Sequence, residues 1–407
     1  MSEDPLQWLF SLEVLGMKFG LENMTMLMAE LGDPHRRVPS LLIAGTNGKG
    51  SVTAMTDAAL RRAGYRSARY TSPHLERVEE RFVVDGSEVS SADLREVLHR
   101  VRAAVDALVT RGALSMPPTF FECATAAAFE LFRRQTVEIA VIEVGLGGRL
   151  DATNVAQPLA TAITTIDLDH EAQLGSSIEE IAGEKAGIIK PGIPVVIGRL
   201  PAAAERVVVE AAARVHAPVV RAHDPPGRPA PEPGLAGAHQ IDNARVAAAL
   251  LRTLGGRGFP VADEAIRYGI EHVAWPGRLE HFRHEQSEVL LDAAHNPAGA
   301  RALVTYLQEI GWRAPTLLFA AMADKDARGM LSVLLPATGR IICTTAPTPR
   351  AATAAELADA ARALAPGHPI DAIEDPAEAL ARACAVSTRV VAAGSMYLIG
   401  PLRGILR

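Results

Sequence analysis

The chain has 407 residues, 41 Lys and Arg against 47 Asp and Glu, a net charge of −6, and 48% hydrophobic and 22% charged residues. At roughly 100–200 residues per domain this describes two or three globular domains, and it excludes a predominantly basic nucleic-acid-binding surface. Three isolated cysteines, Cys123, Cys343 and Cys384, make no CxxC pair, which excludes a zinc ribbon or disulfide scaffold and suits a reducing compartment. Glu3 and Asp4 stand where a secretory signal would carry positive charge, and no apolar run nears the roughly 18 residues that span a bilayer. The expectation is a cytoplasmic protein with no membrane or nucleic-acid partner, a monomer by default.

The first predicted strand, Val38–Ala44, runs into Gly45-Thr46-Asn47-Gly48-Lys49-Gly50-Ser51. A helix follows, its apolar face marked by Val52, Met55, Ala59, Leu60 and Ala63. Glycines let several backbone N–H groups converge on an anion, the helix start adds its positive dipole end, and Lys49 supplies a point charge for terminal phosphates. Ser51 places a hydroxyl where it can reach a phosphate-bridging magnesium ion. A helix-capping glycine turn would look similar, but the strand–loop–helix context disfavours it. The spacing departs from the usual P-loop: only Thr46 and Asn47 separate the first two glycines, and Gly50 intervenes before Ser51.

A second apolar strand, Glu138–Val144, brings Glu143 to its C-terminal end. A carboxylate there faces the crevice where α/β proteins bind ligands and suits hard magnesium, although a solvated strand-end Glu fits the same residues. The following Gly145–Gly148 string imitates a dinucleotide fingerprint at Gly145 and Gly147 but has Leu150 in the third position. After the strand Ala160–Ile166 comes His170, with Asp169 placed to orient its ring. Lys185 shares a helix with Glu179, Glu180 and Glu184 and by itself reads as a solvated surface lysine. Beyond the strand Val195–Ile197, the prolines of His223–Gly234 mark a surface loop or joint.

A second candidate joint is the Trp275-Pro276-Gly277-Arg278 turn. Past it, Val289–Leu291, Thr316–Ala320 and Val390–Ala393 begin a fresh strand–helix alternation with room for about five strands. Asp292 and His295 fall at the first strand's C-terminal edge, where a helix N-cap is the alternative role. Short continuous strands alternating with amphipathic helices predict an α/β fold with parallel sheet covered on both sides. No GxSxG elbow or papain-like cysteine motif is present.

The GTNGKGS loop resembles the ATP loop of the Mur-type amide ligases, in the form of their folate branch, folylpolyglutamate synthase and dihydrofolate synthase. The resemblance extends over nearly the full length and in the family's order. It includes Tyr70-Thr71-Ser72-Pro73-His74-Leu75, Thr119-Phe120-Phe121-Glu122, Glu143 to Asn154, Leu168-Asp169-His170, Gly183 to Lys190, Asp292 to Pro297, Asp324-Lys325-Asp326 and Gly394 to Leu398. It implies a P-loop-containing parallel-sheet ATPase and pterin-binding domain over 1–276 and a smaller Rossmann-like glutamate-ligase domain over 277–407, with ATP between them.

The implied reaction joins L-glutamate to the carboxylate of dihydropteroate or a reduced folate. ATP's γ-phosphoryl group goes to the carboxylate, the amine attacks the acyl phosphate, and phosphate leaves. Both steps gather negative charge and call for metal ions and positioned donors.

The resemblance also implies roles, residue by residue. Asn47, Gly48, Lys49, Gly50, Ser51, Asn243, Arg278, Asp292 and His295 would contact ATP. Ser72, Glu143 and His170, with Ser51 nearby, would hold two magnesium ions. Lys185 would be an N6-carboxylysine helping to hold them, and Lys49, Glu143, His170 and Lys185 form the expected catalytic set. Lys18, Phe19, Gly20, Ser72, Thr119, Phe120, Phe121, Glu122, Leu150, Asp151 and Ala152 would line the pterin side. Phe120 and Phe121 suit a flat ring but equally suit core packing. A peptidoglycan Mur ligase, a P-loop kinase or NTPase switch, and a catalytically inactive folate binder are the alternatives. The motifs do not separate dihydrofolate synthase from folylpolyglutamate synthase or from an enzyme with both activities.

Overall fold

Two sheets organise the computed structural model, which describes residues 4–16, 20–114, 116–223 and 231–407. The first contains β1 (Ser40–Ala44), β2 (Ser67–Tyr70), β3 (Phe82–Val84), β4 (Ser87–Glu88), β5 (Ile139–Glu143), β6 (Ala160–Ile163), β7 (Val195–Ile197) and β8 (Val219–Arg221). Their order is β4-β3-β2-β5-β1-β6-β7-β8. From β2 to β8 the pairs are parallel, and β3 and β4 add an antiparallel edge.

β1 and β5 are buried at every position, as central strands covered on both faces must be. The short edge strand β4 is exposed instead. Because β2, β5, β1 and β6 are parallel neighbours, the loops after Tyr70, Glu143, Ala44 and Ile163 leave from the same edge. This arrangement gathers the chemically distinctive segments.

The second sheet has β9 (Glu280–His284), β10 (Ser287–Leu291), β11 (Thr316–Phe319), β12 (Arg340–Cys343), β13 (Ile370–Ala372) and β14 (Arg389–Ala393), in the order β13-β12-β11-β14-β10-β9. Six strands follow the Trp275–Arg278 turn: the five from β10 to β14 are parallel, while β9 forms an antiparallel edge not anticipated from the sequence. Its alternating half-buried and exposed residues carry no continuous apolar signal. Side chains alternate across the sheet: Leu317, Phe319, Ile341 and Val391 enter one cluster, Leu318, Ile342, Val390 and Ala392 the other. Both faces are therefore covered, as the uninterrupted apolar runs predict.

One compact unit comprises Met1–His74, Val78–Gly234 and Ile241–Val273; the other comprises Leu75–Arg77, Leu235–Gln240 and Ala274–Arg407. The small segments 75–77 and 235–240 pack with the second sheet, which a division at a single sequence position does not capture. Leu75 packs its backbone against Gly400, where an added Cβ would come 2.0 Å from the Leu75 carbonyl oxygen. Much of the proline-rich joint, including Pro225, Pro226 and Pro229, lies outside the described residues. Among those described, no helix is long and apolar enough to cross a membrane.

The helices Lys49–Arg62 and Asp263–Glu271 approach so closely that a Cβ on Gly269 would lie 2.3 Å from the Ala59 nitrogen and 2.4 Å from its Cα. Neither atom can swing aside as a side chain would. Gly269→Ala is therefore expected to destabilise the protein by about 1–3 kcal/mol, the usual cost of overpacking. Urea unfolding checks this: an unchanged midpoint would mean the two helices separate without cost.

Candidate active site

The loop after β1 is held in shape by two threonines at the end of β6. Thr46 donates its backbone N–H to the Thr165 carbonyl at 2.8 Å, and Asn47 donates its own to Thr165 Oγ1 at 3.0 Å. Thr164 Oγ1 in turn donates to the Asn47 carbonyl at 2.6 Å. Thr46 Oγ1 also bridges the backbone of Asp167. These anchors were not singled out from the sequence; the only available signal was a Thr-Thr pair ending an otherwise apolar strand.

Gly48 begins the Lys49–Arg62 helix at φ 85°, ψ −11°, a left-handed conformation that favours glycine. A Cβ there would lie 2.3 Å from Asn243 Oδ1, so Asn243 closes directly on the loop. At Gly45 a Cβ would reach within 1.9 Å of Thr164 Oγ1. The loop is thus a backbone cradle at a helix N-terminus, the arrangement that binds phosphate oxygens. Lys49 folds back over it, donating from Nζ to the Gly45 and Thr46 carbonyls at 3.0 and 3.1 Å. Ser51 is buried in the first helical turn.

Glu143 ends β5 beside Ile43 of β1 and is only 5% exposed, so it is not a solvated strand-end residue. Its Oε2 accepts the Ser72 N–H at 3.1 Å, tying together two of the expected metal ligands. His170 adopts a left-handed backbone at φ 53°, and its N–H donates to Asp169 Oδ1 at 2.9 Å. Among the described residues no three His, Cys, Asp or Glu side chains converge as a self-sufficient metal centre. A buried carboxylate tied to the Ser72 N–H, rather than a closed ring of side-chain ligands, fits magnesium, which keeps waters and phosphate oxygens among its ligands.

Lys185 is not the surface lysine that its glutamate neighbours suggested. It is 4% exposed, on the buried helix face shared with Ile181, Ala182 and Ala186, and donates from Nζ to the Gly45 carbonyl at 3.1 Å. Helical periodicity, with Ile181 and Lys185 four residues apart, was the missed signal. The glycine string packs against this helix: a Cβ on Gly148 would lie 3.0 Å from the Glu184 and Lys185 carbonyls. Arg149 donates its N–H to the Glu184 carbonyl and pairs with the Glu184 carboxylate at 2.7 Å.

Asp151 folds the same string into a compact turn, accepting from the N–H groups of Leu146 and Thr153 at 2.9 and 3.0 Å. Burial raises its carboxyl pKa, against the opposing pull of these bonds and those from the Thr153 hydroxyl and the Gly145 N–H. Leu150 is half-buried and Ala152 buried beside it. Phe121 lies against the start of the string, where a Cβ on Gly145 would come 2.5 Å from its Cζ.

Thr119 and Glu122 form a reciprocal capping box on the helix Phe120–Arg134. Glu122 Oε2 accepts from the Thr119 N–H at 2.8 Å, whereas Oε1 is buried without a hydrogen-bond partner among the described residues. Phe120 is buried and Phe121 half-buried, and both pack with the core of the first unit. Tyr70, fully buried, has its hydroxyl pKa pushed up to about 12 by desolvation. His74 is pushed down to about 3 by burial and the Arg81 charge. Gly20 is half-buried at φ 132°, while Lys18 and Phe19 lie outside the described residues.

In the second unit Asp292 follows β10 and is 7% exposed. It accepts from the N–H groups of Leu279 and Ala294, both at 3.0 Å. Burial raises its carboxyl pKa, opposed by the charges of Arg278 and His239. The helix cap is Asn296, whose Oδ1 accepts from Gly299, and not Asp292 or His295. His295 Nδ1 lies 3.0 Å from the Ala293 carbonyl, and Arg278 donates to the Gly277 carbonyl. Asp324 pairs with Arg350 at 3.4 Å.

Residues 277–396 match the family model described as the glutamate ligase domain of Mur ligases. Over 382 residues the chain is 36% identical to a dihydrofolate synthase/folylpolyglutamate synthase of Bacillus subtilis, covering 88% of each. A Mycobacterium tuberculosis folylpolyglutamate synthase, solved with ADP and AMPPCP, superposes with a TM-score of 0.90 at 33% identity, covering 99% of both chains. A bifunctional folylpolyglutamate synthase/dihydrofolate synthase with Mn, AMPPNP and L-glutamate bound gives 0.87 at 31% identity, over 100% of this chain and 98% of that one.

Proposed function

Since the chain belongs to the folylpolyglutamate synthase/dihydrofolate synthase family of ATP-dependent ligases, we propose that its two units divide the work of that reaction. The first unit binds ATP and the pterin-bearing acid, and the second provides the glutamate-ligase domain. The product is an amide between L-glutamate and the carboxylate of dihydropteroate or a reduced folate, with ADP and phosphate released. The observation that carries the assignment of roles is the cradle itself: a left-handed glycine at a helix start, closed by Asn243 and overlaid by Lys49.

In this reading Asn47, Gly48, Lys49, Gly50 and Ser51 receive the phosphates, and Asn243, Arg278, Asp292 and His295 complete nucleotide recognition. Ser51, Ser72, Glu143 and His170 hold magnesium. Bound there, the ion neutralises charge accumulating on the transferring phosphoryl group. Lys49 adds a point charge, while the helix N-terminus supplies fixed N–H dipoles that need no reorganisation.

Two ammonium groups, those of Lys49 and Lys185, donate to the Gly45 carbonyl. Conversion of Lys185 to a carbamate replaces this like-charge proximity with an attractive one and adds an anionic oxygen pair for metal. On the pterin side, Gly20, Phe120, Phe121, Leu150, Asp151 and Ala152 provide the surroundings, with Lys18 and Phe19 completing the set by resemblance. The buried, unbonded Glu122 Oε1 suits a ring N–H donor. We read the protein as a cytoplasmic monomer, consistent with its three unpaired cysteines.

The test is turnover by the purified chain. ADP release is expected only when ATP, magnesium, glutamate and an acceptor are all present, with stoichiometric amide formation. Dihydropteroate and reduced mono- and diglutamyl folates compared side by side assign the acceptor. ATP hydrolysis indifferent to acceptor and glutamate would instead favour an NTPase switch.

A further inference from the structure

Arg81 is a cation in an unusual setting. It is 5% exposed, yet among the described residues no carboxylate pairs with it. Its Nε donates to Nδ1 of His74 at 2.9 Å, and its charge reaches the Tyr70 hydroxyl, which itself accepts from Thr125. Below it lies Phe120, with the guanidinium carbon 4.9 Å from the ring centroid. A neutral acceptor and an aromatic face soften the desolvation of a buried guanidinium but supply no counter-charge. The buried Asp57 and Glu130, by contrast, are each paired with two or more arginines. The chain therefore neutralises buried charge elsewhere in the same unit.

The neighbouring acids are committed in other directions. Asp151 holds the glycine string through backbone N–H groups, and Glu122 Oε2 closes the capping box. Arg81 is also fixed close to the chemistry: its carbonyl accepts the Thr71 N–H at 3.1 Å, and the next residue, Ser72, donates to Glu143. Apolar surface borders the guanidinium where Phe10, 39% exposed, tilts against Phe120 at 5.7 Å. A fixed planar fork with spare donors beside an exposed aromatic edge matches an aryl acid.

We propose that Arg81 is a binding residue for the acceptor substrate, taking one of its carboxylates on the edge of the guanidinium away from His74, while His74 and the Phe120 ring hold the fork in place. The inference rests on the ligase reading above and adds a residue to it. The carboxylate has two sources, the benzoyl acid of dihydropteroate or the glutamyl tail of a folate.

The experiment measures equilibrium binding of each acid and its carboxamide counterpart to the full chain, to R81M and to R81K. The unmodified chain is expected to prefer acid over amide at least tenfold, as a charge-assisted pair requires, and R81M to lose most of that preference, leaving about twofold or less. R81K keeps a charge without the fork and should fall between them, which provides the answer if R81M does not fold. Lost preference with dihydropteroate assigns the benzoyl acid, and lost preference with the monoglutamyl folate assigns the tail. Equal weakening of acid and amide, or an unchanged preference with both substrates, would overturn the proposal. Failure of the unmodified chain to ligate glutamate at all would remove the underlying reading instead, a result the binding data do not mimic.

Discussion

Replacing Glu143 with alanine is expected to lower kcat for amide formation by about three orders of magnitude, with a much smaller effect on thermal stability. The side chain combines two tasks that can be separated. As a hydrogen-bond acceptor it fixes the Ser72 N–H, and in the proposed role its buried carboxylate attracts a divalent cation to the edge of β5. Glu143→Gln keeps an oxygen for Ser72 and removes only the charge. If the charge is what matters, the glutamine variant will be nearly as slow as alanine, and both will need more magnesium to reach their own maximal rate. A magnesium titration of initial rates makes the comparison. A glutamine enzyme with normal rate and normal magnesium dependence would leave Glu143 as a loop anchor and nothing more.

The second large effect is expected at Lys185. Its Nζ and that of Lys49 each lie near 3 Å from one carbonyl oxygen. Two such nitrogens are within about 6 Å of one another, where like charges taken alone cost about 3 kcal/mol at an effective dielectric near 20. The neutral amine is the form that attacks carbon dioxide. The new N–C bond forms as a proton leaves nitrogen, and the product is an anion.

Protein equilibrated with 13C-labelled bicarbonate should therefore show one carbamate carbon resonance that is absent from K185Q. The same variant is expected to lose at least about a hundredfold in kcat, since the proposed carbamate and its metal contacts would go with it. An unmodified chain that turns over normally yet takes up no label would rule the carbamate out.

Much of this protein was legible from residue order. Short apolar runs rich in β-branched residues and bounded by turn signals fit strands buried on both faces, so β1, β5 and the second sheet's parallel core were predictable, as was the glycine loop between β1 and its helix. Positions that need no Cβ, such as Gly48, announce themselves because no other residue tolerates both that backbone and the neighbour pressed against it. The antiparallel edge strands were harder, since half-exposed strands lack an apolar signature.

Charge environment lay beyond sequence altogether. Glutamates adjacent in the chain made Lys185 look solvated, but helical rotation points it inward and sheet order delivers it to Gly45, 140 residues away. Thr164 and Thr165 became loop anchors only because β6 lies beside β1. Arg81 reads as one arginine among many until folding removes it from water without bringing a carboxylate of the described residues to it. Local pattern is set by which side chains a segment must bury, whereas the company a charged group keeps is set by strands and helices far apart in the chain.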